Sequence, residues 1–132
     1  DALQQLCNPH NLDQHHERIT ARRRRALVSD ACDWMLHRLA DRFSVVELSA
    51  AMHVSVRTLQ TSFQAELGCS PMAELKRMRL HQLRRFLLNP GLRHQSVAEL
   101  MSQAGLLACG VTAADYQRWC GELPRRTRRR TE

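Results

Sequence analysis

The chain has 132 residues, 43% of them apolar, enough for one compact domain or two very small ones on a shared spine. Lys and Arg number 20 against 13 acidic residues, a net charge of +7, and every cation except Lys76 is Arg. This balance favours a polyanionic partner, and no apolar run is long enough to span a membrane or act as a secretory core. Five cysteines (Cys7, Cys32, Cys69, Cys109, Cys120) lack any C-x-x-C pair, so neither a zinc site nor a redox motif is expected, and buried free thiols in a reducing cytoplasm fit best.

Residues 1–19 are polar and His-rich, and Pro9 argues against an early helix, so this stretch reads as a linker or disordered tail. His10, His15 and His16 have neither helical i, i+4 spacing nor a cysteine nearby, and no metal is assigned to them. From about residue 20 to Arg42 a helical pattern follows, with Val28, Cys32, Met35 and Leu39 as its stripe and Leu27, Ala31, Trp34 and Leu36 broadening it. Ser44 and Glu47 then have the spacing of a capping box.

Residues 45–68 carry the strongest local signal, two short helical patterns around a break at His53-Val54-Ser55, as in a helix-turn-helix. Leu59, Phe63 and Leu67 fall on one expected buried face, and Ser55 is placed to cap the second helix. The opposite face holds Arg57, Gln60, Thr61 and Gln64, with Thr58 adjacent. A guanidinium suits guanine, an amide suits adenine and a hydroxyl suits either, so this face has the chemistry of a major-groove reader. It also has the composition of an ordinary solvated helix face.

Ser70-Pro71 starts a long helix, residues 71–88, of roughly 27 Å at 1.5 Å per residue. Asn89-Pro90-Gly91 ends it. A second copy follows, with a capping box at Ser96 and Glu99. Leu48, Met52, His53 and Val54 match Leu100, Ala104, Gly105 and Leu106, and Phe63 matches Tyr116 with one extra residue in the second copy. The domains expected are 20–70 and 89–124 as helix-turn-helix subdomains, 71–88 as linker helix and 125–132 as a basic tail. The fold class is all-α, and two reading heads about one DNA turn apart, ~34 Å, are implied.

Several motifs together resemble the DNA-binding domain of AraC/XylS-type transcription regulators, over residues 26–130. They are S-x-R-T-L-Q-x-x-F from Ser55 to Phe63, E-L-G at 66–68, S-P at 70–71, Arg77, Arg79, Leu80 and the Leu87-Leu88 pair. In the second half Gly105-Leu106, Gly110, Asp115-Tyr116, Gly121-Glu122, Pro124 and Thr127 are similar to the subgroup that includes the ethanolamine-operon regulator. The resemblance implies about seven helices, a structural role for Arg79 between the subdomains, RNA polymerase as a partner, and a missing N-terminal sensing or dimerisation domain. Departures are His53 for the usual turn Gly, Glu74 for Tyr, and Cys120 for a core Phe. Leu107, Ala108, Val111 and Thr112 replace Trp, His, a polar residue such as Arg, and Phe. The second reading face becomes Cys109, Val111 and Ala114, with no amide or guanidinium, and Thr112 with Asp115 is spaced to start that helix late.

The expected function is therefore sequence-specific binding of double-stranded DNA by a bacterial regulator in the cytoplasm. Ser55, Arg57, Thr58, Gln60, Thr61 and Gln64 form the principal site, while Arg118, Arg125 and Arg126 meet the phosphate backbone. The closing RRTRRR tract is expected to be flexible and indifferent to sequence. The rival is a degenerate module used for protein contact, with RNA polymerase or another regulator. No enzyme constellation or cofactor motif is found, and aromatics at 5% leave no stacking platform for RNA.

Overall fold

The computed structural model describes the backbone of residues 9–131 and the side chains of residues 21–131. Cys7, the residues before Pro9, Glu132 and the side chains of His10, His15 and His16 lie outside the described residues. Among the described residues there are seven α-helices and no strand: α1 Pro9–Leu36, α2 Val45–Ala51, α3 Val56–Leu67, α4 Pro71–Leu87, α5 Val97–Gln103, α6 Gly110–Cys120 and α7 Pro124–Arg129. A 3-10 turn, Pro90–Leu92, leads from α4 to α5.

The expected tail is corrected by α1, which begins at Pro9. The stretch expected as a tail is therefore helical over the residues 9–19 that the structure describes. The helix also stops earlier than its stripe suggests. After Leu36 the Arg38 N–H bonds to the Met35 carbonyl, a turn and not a helical step, and Leu36 itself is 50% exposed.

Two cores share α4. Val28, Ala31 and Met35 of α1 enclose Leu48, Leu59, Phe63 and Leu75 in the first. Leu80, Leu83 and Leu87 enclose Leu100, Met101, Ala104 and Tyr116 in the second. One helix thus gives its N-terminal part to one head and its C-terminal part to the other. Loss of the Phe63 ring, which is fully buried, costs about 3–5 kcal/mol.

Helix starts are set by hydroxyl caps. Ser44 accepts from Glu47 N–H and Ser70 from Ala73 N–H. Ser96 and Glu99 form a complete capping box. Glycine at φ +71 and φ +88 closes α3 and α6, at Gly68 and Gly121.

Candidate nucleic-acid interface

The first head is a short turn holding a capped helix. His53 sits at φ +59, where a non-glycine residue is strained. Val54 N–H reaches back to the Ser49 carbonyl, as Leu106 N–H does to Met101 in the second head. Ser55 then accepts from Thr58 N–H at 3.1 Å, and its hydroxyl donates to Thr58 Oγ1 at 2.9 Å. Thr61 donates to the carbonyls of Arg57 and Thr58. The hydroxyls of Ser55 and Thr61 have their protons committed inside the helix, so toward a ligand they act as acceptors.

Arg57, Gln60 and Gln64 differ from these hydroxyls. All three are exposed, and among the described residues none has a side-chain hydrogen bond within the protein. Leu59 and Phe63 are fully buried behind them. Leu67, expected on the same buried face, is 45% exposed, because it lies in the last turn of α3 beyond the core residues of α1. Arg24 of α1 ties that end of α3 through Glu66 at 2.8 Å.

The second recognition helix starts at Gly110, not late. Cys109 is its N-cap without a side-chain cap bond. Thr112 and Asp115 do not form the capping box their spacing suggests. Thr112 is buried, and Asp115 pairs with Arg118 and with Lys76 of α4, the latter at 2.5 Å. These two cations hold the Asp115 carboxyl below its ordinary range. Arg118, expected on phosphate, is 74% exposed while making that pair. Cys109 corrects the expectation of buried thiols, as it is exposed.

The C-caps Gly68 and Gly121 lie 53 residues apart, as do the starts of α4 and α7. On that offset Arg57 corresponds to Gly110, Thr58 to Val111, Thr61 to Ala114 and Gln64 to Gln117. Gln117 is exposed one turn beyond Ala114, so the second face does hold an amide. The 53-residue offset between Phe63 and Tyr116 was the sequence signal for it.

The heads meet closely around Arg79. Arg79 of α4 donates from Nε to the Leu39 carbonyl at 2.9 Å and from Nη2 to the Asp41 carbonyl at 2.8 Å. Its guanidinium lies over the Phe43 ring, 5.7 Å from the centroid. Gly105, in the second turn at φ +86, rests on this hydrogen bond, and a Cβ there would come 1.9 Å from the Leu39 oxygen.

The closing tract is not a flexible tail. It forms α7, packed by Pro124 and Thr127. Thr127 is fully buried and donates to Glu122 at 2.8 Å, so the Tyr116 hydroxyl must donate to Thr127, also at 2.8 Å. Burial pushes the Tyr116 phenol well above its ordinary value. Arg128 donates to the carbonyls of Leu92, Arg93 and Gln95, and Arg130 pairs with Glu122. Arg125, Arg126 and Arg129 line a cleft of about 690 Å³ that reaches Gln117.

A family model described as a helix-turn-helix domain matches residues 48–130. The chain belongs to the AraC-type helix-turn-helix family. It is similar to a probable thc operon regulatory protein of Rhodococcus erythropolis, 32% identical over 74% of this chain and 30% of that protein. It is also similar to the XylDLEGF operon transcriptional activator 2 of Pseudomonas putida, 32% identical over 61% of this chain and 52% of that protein. The chain thus spans about a third to a half of these relatives. A probable AraC family regulator from Rhodopseudomonas palustris superposes with TM-score 0.75 at 27% identity, covering 81% of this chain and 98% of that one. The DNA-binding domain of AdpA, solved in complex with a target DNA, superposes with TM-score 0.69 at 25% identity over 77% of this chain and 89% of that one. The curated relatives are named as operon regulators, and the fold is that of AraC-type DNA-binding domains rather than of an enzyme. Among the described residues no helix is long and apolar enough to cross a membrane.

Proposed function

We propose that this AraC-type domain reads duplex DNA sequence-specifically, chiefly through the outer face of α3. The observation that carries the reading is the set Arg57, Gln60 and Gln64, exposed and, among the described residues, without hydrogen-bond partners, on a helix whose other face is locked in the core. Arg57 offers a bidentate fork to guanine, and the two amides suit adenine. Ser55 and Thr61 accept and Thr58 donates near the helix start, where the free N–H groups also attract phosphate. Arg118, Arg125 and Arg126 hold the backbone at the second head, positioning the protein without reading sequence. The rigid joint at Arg79 and Gly105 sets the heads for successive major-groove segments.

The same proposal places the chain in the cytoplasm of a bacterium, within a regulator that has a sensing or dimerisation segment and contacts RNA polymerase. Among family subgroups it sits nearest the one that includes the ethanolamine-operon regulator, on Gly110, Asp115-Tyr116 and Gly121-Glu122.

Selection from random duplex DNA tests the reading. A motif should emerge with one sharp half and one softer half. Arg57→Ala should then flatten the sharp half. Recovery of no motif, or of one that Arg57→Ala leaves intact, would remove α3 from the reading role.

A further inference from the structure

The outer face of α6 presents hydrocarbon where α3 presents polar groups. Val111 is 68% exposed, and Leu107, just before the helix, is 66% exposed. Ala114 lies beside Val111 one turn on and is also exposed. Both face outward because Thr112 and Tyr116 occupy the buried side and Asp115 is tied to Lys76. On the 53-residue offset they stand where α3 carries Thr58 and Thr61.

We infer that Val111 and Ala114 recognise thymine by its C5-methyl group, so that the second head is a reader of A·T pairs. The inference rests on the DNA reading proposed above and deepens it by naming the base. Thymine is the one standard base that offers a methyl group in the major groove, and an apolar side chain is the partner that methyl prefers. Cytosine at the same place has only a hydrogen on C5, so it forgoes the apolar contact that the thymine methyl makes. Gln117, on the same exposed face, adds an amide suited to adenine N6 and N7. A face built from two aliphatic groups and one amide therefore matches the two edges of A·T pairs. It also gives the hydrocarbon a reason to be on the surface of a domain whose two cores are already filled.

The test exchanges thymine for deoxyuridine, which removes the methyl and leaves every hydrogen-bonding group. The intact chain is titrated on its highest-affinity selected duplex and on copies with deoxyuridine at single positions of the softer half. Each methyl covered by Val111 or Ala114 should weaken binding about fourfold when removed, from the transfer value of one buried carbon. Val111→Ser, at an exposed position, should keep the urea midpoint and lose the sensitivity at one position only. A wild-type protein that selects a sharp first half yet binds uridine copies of the second half equally well overturns the inference and leaves the DNA reading standing. In that case a protein partner covers the apolar face. A protein that selects no motif sinks both.

Discussion

Gly105→Ala tests whether the two heads are held as one unit. The glycine has φ +86, and an added Cβ would lie 1.9 Å from the Leu39 carbonyl oxygen and 2.7 Å from Arg79 Nε. The backbone angle alone costs an L-residue about 1–2 kcal/mol. The overlap has no cheap escape, because the oxygen is backbone and already accepts from Arg79 at 2.9 Å. Moving it by more than about 1 Å strips the guanidinium of that acceptor, which for a charged donor is about another 1.5–3 kcal/mol. The sum, about 2.5–5 kcal/mol, is a large fraction of the roughly 5–15 kcal/mol typical of a domain.

Gly68→Ala is the internal control. Its φ is +71, but an added Cβ meets nothing within 4 Å, so only the backbone term of about 1–2 kcal/mol applies. Urea unfolding at about 2 kcal/mol per M should place the Gly105→Ala midpoint roughly 2 M below wild type, and Gly68→Ala less than about 1 M below. His53→Gly, relieving φ +59 at the equivalent turn, should raise the midpoint slightly. On DNA, Gly105→Ala should tolerate altered spacing between half-sites more readily than wild type does. Equal midpoints for Gly105→Ala and Gly68→Ala would refute this account, since the close approach would then cost nothing.

Gln60→Ala should lose about 1–3 kcal/mol of discrimination at one base with no change in urea midpoint, measured by competition among single-base variants of the selected site. Arg125→Ala with Arg126→Ala should flatten the log–log salt dependence of binding by about 0.9 for each phosphate no longer neutralised, without altering stability or the selected motif. Arg128→Ala should do the reverse, lowering the urea midpoint while leaving the salt slope in place, because its donors serve three backbone carbonyls. His81, packed on Trp119 at 4.5 Å, is held below its ordinary value by burial and by Arg77 and Arg85. Between that lowered value and about 6.5 the unfolded chain takes up a proton that the folded one refuses, so stability should fall as pH drops through this window. Solvent around the partly covered ring keeps the effect small. The difference in midpoint between about pH 7 and pH 5 should be larger in wild type than in His81→Gln.

Much of this molecule is legible in its sequence because its signals are local. Hydroxyl caps at Ser44, Ser55, Ser70 and Ser96 each satisfy an N–H three residues on, so helix starts follow from spacing alone. The shared spine is equally plain, since Leu75 near the start and Leu83 further along belong to one uninterrupted helix. What escapes is whatever depends on a partner far along the chain. Leu36 and Leu67 keep helical spacing yet are 50% and 45% exposed, because spacing alone does not say what packs over a position. The pair Thr112 and Asp115 has the spacing of a cap, yet Asp115 is taken by Lys76 on another helix and Thr112 by the core.

The closing arginines show the same limit in its sharpest form. Composition treats Arg125 to Arg130 as equivalent charges, and a run of like charge reads as a solvated tail. Thr127 breaks that equivalence, because its hydroxyl is the acceptor for buried Tyr116 and the donor to Glu122. Once Thr127 faces inward, helical geometry sets the direction of each neighbour. Arg128 turns to the carbonyls at the end of the 3-10 turn, and Arg130 reaches Glu122. Arg125, Arg126 and Arg129 are left along the cleft beside Gln117. The tract therefore divides into cations that hold the second head together and cations open to phosphate. Removing the whole tract would confound the two. It would expose Tyr116 and unpair Glu122, so a loss of DNA binding on truncation would report unfolding as much as charge. Single substitutions at Arg125 and Arg126, set against Arg128, separate the electrostatic contribution from the structural one.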